Sequence, residues 1–76
     1  MTEHYYVWMA ENTSASNEPW KVLADDKEDA KAVVLKRWRA HRYTLGEIHT
    51  PEELAEADPW WFDHLKDQRA INERRT

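Results

Sequence analysis

The chain has no cysteine and a single glycine among its 76 residues. The first absence removes disulfides and thiolate chemistry and fits a reducing compartment. The second removes any phosphate-cradling loop, which needs several backbone positions free of Cβ; Gly46 stands alone. Long hydrophobic runs are missing too. The longest, Tyr5-Tyr6-Val7-Trp8-Met9-Ala10, falls far short of the ~20 residues that cross a bilayer. Met1-Thr2-Glu3-His4 has neither the basic nor the apolar region of a signal peptide, so the sequon Asn12-Thr13-Ser14 reads as coincidence. These absences lead us to expect a single soluble, cytoplasmic domain over residues 1–76 with no membrane partner.

Tryptophan is abundant by contrast. There are five (Trp8, Trp20, Trp38, Trp60 and Trp61), two of them adjacent in Asp58-Pro59-Trp60-Trp61-Phe62. Burying one such ring removes roughly 150–250 Å² from water, worth about 4–6 kcal/mol of gross burial at about 25 cal/mol per Å². A domain of this size hides only about 60% of its unfolded surface. Three tryptophans suffice to anchor its core, and the surplus suggests an aromatic contact surface.

The net charge of −4 is unevenly laid out. Lys36, Arg37, Arg39 and Arg42 make a basic stretch, whereas residues 43–67 hold seven acids against Lys66 alone. Such a dipole can steer a charged partner, although ordinary solubility charge explains it as well.

Tyr5–Ala10 reads as a strand apolar on both faces, hence central. Residues 11–19 read as a polar loop, and Trp20–Ala24 as a second strand with Trp20, Val22 and Ala24 facing one way. Asp25 with Glu28 is expected to open a helix. Its stripe of Ala30, Val33, Val34, Trp38 and His41 carries it to about Arg42. Tyr43–His49 reads as a third strand, where a bulge at Gly46 would bring Leu45 and Ile48 to one side. Thr50-Pro51-Glu52-Glu53 is a capping box with proline at the first helical position. Asp58-Pro59 ends that helix and opens another, in which Trp61, Phe62 and Leu65 face inward. Beyond Leu65 the chain is expected to be exposed, with residues from about 72 to 76 frayed.

The resulting order, β-β-α-β-α-α, is an α+β domain. A one-helix crossover makes strands two and three parallel, so the first strand lies between them, antiparallel to both, in sheet order 2-1-3. The first helix covers one face and the Trp-Trp segment the other, over Tyr6 and Trp8. Val7, Val22, Val34, Trp38, Leu45 and Leu65 are expected to be buried.

Catalytic and metal-binding patterns are wanting. His4, His41, His49 and His64 share no ligand spacing. Glu47 and His49 form a weak proton-transfer pair at best, and solvated histidines are the simpler reading. Glu52/Glu56 and Asp63/Asp67 fall on single helix faces, which a solvated acidic surface explains. No catalytic residue, metal site or cofactor is assigned, and the protein is not expected to be an enzyme.

Two segments remain. Lys36–Tyr43 interleaves cations with aromatics, as a nucleic-acid surface does. In the Trp-Trp segment, adjacent helical residues diverge by about 100°, so Trp60 and Trp61 cannot both face one core layer and Trp60 is expected at the surface. Tryptophan is enriched at interface hot spots.

In its small size, compactness and layout, over its whole length, the chain loosely resembles small orphan accessory proteins of bacteriophages and mobile elements, including host-takeover and anti-CRISPR-like proteins. No motif carries that resemblance. It implies a protein that occludes a macromolecular partner rather than one that catalyses. The leading reading is therefore a protein-binding module using Trp60, Pro59 and Trp61, rimmed by Glu56, Asp58 and Asp63. The alternative is a nucleic-acid-binding module using Lys36, Arg37, Arg39 and Arg42. Whether a partner protein is a second copy of the same chain stays open.

Overall fold

A computed structural model describes residues 2–11, 17–37 and 43–72 of the chain. Strand β1 spans Glu3–Glu11 and β2 Asn17–Ala24, followed by helix α1 over Lys27–Arg37, strand β3 over Tyr43–His49, and helices α2 (Pro51–Ala57) and α3 (Pro59–Leu65). The sheet order is β2-β1-β3 with β1 antiparallel to both neighbours, as the pattern of the chain predicts.

The doubly apolar β1 divides two cores. Tyr5, Val7 and Met9 meet Val22 and Ala24 of β2 and Ala30 and Val34 of α1 on one face, with Trp20, Val33, Leu45 and Ile48 packed around them. On the other face Tyr6 meets Leu54 of α2 and Leu65 of α3, flanked by Trp8, Trp61 and Phe62.

The expected bulge is present. Met9 pairs with Leu45 and Val7 with Ile48, so two residues of β3 stand opposite Trp8. Leu45 and Ile48 thus reach the same core. A Cβ at Gly46 would lie 3.3 Å from Trp8 Cβ, an atom too close to its own backbone to swing aside. That close approach is where the one glycine is used.

Four expectations need correction. Asp26, not Asp25, caps α1, its Oδ1 accepting the Asp29 N–H at 2.7 Å, while Asp29 accepts from the Asp25 N–H at 3.0 Å. Leu45 is half-buried, because β3 is an edge strand with no neighbour beyond it among the described residues. The second strand starts at Asn17, inside the expected loop. Finally, the chain after Leu65 is not exposed throughout, and Asn72, where fraying was expected to begin, is tied to β2. Ala70 is 4% exposed, and Ile71 packs on the α1-side core. The Ile71 N–H donates to the Lys21 carbonyl at 2.9 Å. The Asn72 amide both donates to the Leu23 carbonyl and accepts from its N–H, at 2.8 Å each. This segment lies along the outer edge of β2 and satisfies backbone groups that an open edge would leave bare. Residues 73–76, Trp38 and His41 lie outside the described residues, so the placement of Trp38 in the core stands as a sequence expectation.

Candidate functional site

The α2–α3 turn carries the Trp-Trp segment, and side-chain caps lock it. Thr50 Oγ1 accepts the Glu53 N–H at 3.2 Å while Glu53 Oε1 accepts the Thr50 N–H at 2.8 Å. Asp58 Oδ1 accepts the Trp61 N–H at 3.4 Å, with Pro59 at the first helical position. The cap makes Asp58 half-buried and occupied, rather than an open member of a rim.

The far end of α3 is held by Lys21, a β2 residue only 7% exposed. Its Nζ donates to the carbonyls of Lys66 and Gln68 at 2.8 Å each and of Leu65 at 3.3 Å. A cation at a helix C-terminus also opposes the negative end of the helix dipole. With both ends fixed, seven residues keep a helical form that would not persist in isolation.

On this helix the two tryptophans diverge. Trp61 turns inward and meets Trp8 edge-to-face, centroids 6.3 Å apart. Trp60 remains 65% exposed. Its ring stacks on His64 at 5.2 Å with the planes 6° apart, and stands at 87° to Trp61 at 4.9 Å. The exposed indole is therefore propped from two sides. Pro59 beside it is exposed, as are Glu56, Asp63 and His64. Asp63 Oδ1 pairs with Lys66 Nζ at 2.9 Å, and this carboxylate, in hydrogen-bond contact, raises the Lys66 pKa. Asp67 lies past the end of α3, so Asp63 and Asp67 do not form the helical pair their spacing suggests.

Below this surface, the Trp8 indole N–H donates to His49 Nδ1 at 3.2 Å, and His49 Nε2 faces Glu47 Oε2 at 2.9 Å. An indole nitrogen can only donate. The histidine proton therefore sits on Nε2, directed at Glu47. The His49 side chain is 15% exposed, so it is not the solvated residue expected. Among the described residues, no group of three His, Cys, Asp or Glu side chains could hold a metal ion. None of the described helices is long and apolar enough to cross a membrane.

Beside His64 and Trp61 an open cleft of about 340 Å³ runs toward β2, lined also by Pro19, Trp20 and Arg69. Its floor depends on Lys21 and on the docking of residues 68–72, for which the sparse apolar residues after Leu65 gave no periodic signal. Of the basic segment, Lys36 is exposed and Arg37 closes α1. Arg39 and Arg42 lie outside the described residues. No family model, curated protein or solved structure matches the chain.

Proposed function

We propose that the protein is a non-catalytic, cytoplasmic interaction module that binds and occludes a partner protein through Trp60. One observation carries this reading: Trp60 is 65% exposed while its ring is stacked on His64 and stands perpendicular to Trp61. A rigid exposed indole loses little conformational freedom on binding, and tryptophan dominates interface hot spots for that reason and for its area. Glu56 and Asp63 are both exposed, and Asp63, three positions after Trp60 on α3, shares its helix face as a polar neighbour.

The test is affinity capture from the native host with wild-type and Trp60→Ala baits side by side, then titration of the purified captured protein. Trp60→Ala should weaken binding by at least ~2 kcal/mol, about thirtyfold, while its thermal melt stays near wild type. Equal affinity of the two baits would sink the proposal. Submicromolar, salt-dependent nucleic-acid binding that disappears on Arg37→Glu/Arg39→Glu would favour the basic segment instead.

A further inference from the structure

Resting on the reading of Trp60 as a contact residue, we infer that its open face receives an arginine guanidinium of the partner protein. His64 covers one face of the indole at 5.2 Å. Among the described residues the ring contacts of Trp60 are with His64 and Trp61, and at 65% exposure the residue still offers indole surface on which a planar group can lie. An indole face is electron-rich and draws cations, more strongly than the other aromatic side chains do.

The segment that carries Trp60 has the matching sign. Residues 47–67 carry seven acids and one base, Lys66, and Lys66 is already engaged by Asp63. Glu52 and Glu56 on α2 are exposed toward water, as is Asp67 just past α3. A guanidinium stacks flat and is weakly hydrated, and its N–H groups point outward in its own plane, where carboxylates accept them. A lysine ammonium is more tightly hydrated and has no plane to stack. A phosphate-bearing partner meets like charge, and a purely apolar side chain leaves the carboxylates unused. Arginine alone uses the ring and the carboxylates together.

The experiment uses the full chain and three synthetic peptides of equal length: an Arg-Gly repeat, a Lys-Gly repeat and a citrulline-Gly repeat. Citrulline keeps the planar shape of arginine and removes its charge. Binding is followed by NMR on the indole N–H resonance of Trp60, assigned by its disappearance in Trp60→Ala. The Arg-Gly peptide should shift that resonance saturably and bind Trp60→Ala about fivefold or more weakly. The Lys-Gly and citrulline-Gly peptides should both bind wild type more weakly than Arg-Gly does. The inference is overturned if Arg-Gly leaves the Trp60 resonance in place, if Trp60→Ala binds it equally well, or if either control peptide matches it. Self-association that Trp60→Ala abolishes would assign the surface to a second copy and overturn it too. Failure with the peptides leaves the contact role of Trp60 standing wherever the captured protein still requires that residue, so the two readings fail separately.

Discussion

Lys21 holds a full charge in the layer between the sheet and α3, and three carbonyl oxygens around its Nζ make that tolerable. Hydrogen bonds to a charged group contribute about 1.5–3 kcal/mol each way they are measured, and an orphaned buried acceptor costs about 1–3. Lys21→Met keeps the stem and removes the donors. It should lower unfolding free energy by about 2–3 kcal/mol in denaturant titrations, with the Ile71 amide losing protection from hydrogen exchange. The tryptophans separate in the same assay. Trp61→Ala empties the contact with Trp8 and should cost about 2 kcal/mol, less than the 3–5 of a fully buried ring, whereas Trp60→Ala should leave the melt almost unchanged. The divergence of these two rings was legible in the sequence from the 100° step of a helix. Lys21 was not. A lysine alternating with Trp20 and Val22 reads as the solvent side of a strand, and its partners are carbonyls, which have no sequence signature.

The α2–α3 pair is specified by local chemistry. Thr50, Pro51, Glu53, Asp58 and Pro59 each occupy the expected cap or first-turn position, because capping depends on residues within one turn. The start of α1 was readable only to within one residue. Asp25 and Asp26 can both cap, and each has an acid three positions on. At α2 the Glu53 carboxyl is held at about 2, from an ordinary 4.5, first by the Thr50 N–H and then by Lys27, whose Nζ lies 3.0 Å away. Its folded pKa is depressed, so its contribution is complete above pH 4.5 and is lost as pH falls through about 2. In chemical denaturation, the stability gap between wild type and Glu53→Gln should be constant above pH 4.5 and shrink between 4.5 and 2. Thr50→Ala, which removes the other half of the box, should cost about 1 kcal/mol at neutral pH.

For the molecule as a whole, sheet order and the two-sided core followed from β1 being apolar on both faces, since a strand of that kind has to lie between layers. The closure of β2 by residues 68–72 had no such signal. Ala70, Ile71 and Asn72 are too few for periodicity, and their binding is a matter of backbone amides meeting an edge. Truncation after Lys66 removes this cover together with the Gln68 carbonyl that helps hold Lys21. The truncated chain should melt at lower temperature and elute partly as aggregate in size-exclusion chromatography, the behaviour of a bare strand edge. Asn72→Ala, which keeps the chain length, should show a milder form of the same loss. The order of synthesis gives this arrangement a further meaning. Chains leave the ribosome N-terminus first, at ~5–20 residues per second, and β2 is finished by residue 24, whereas its outer margin closes only with residues 71 and 72. Once β2 has left the ribosome, therefore, its outer margin stays open to pairing with other chains on the same polysome until residues 71 and 72 follow it out, and the last residues of the described fold are the ones that end that exposure.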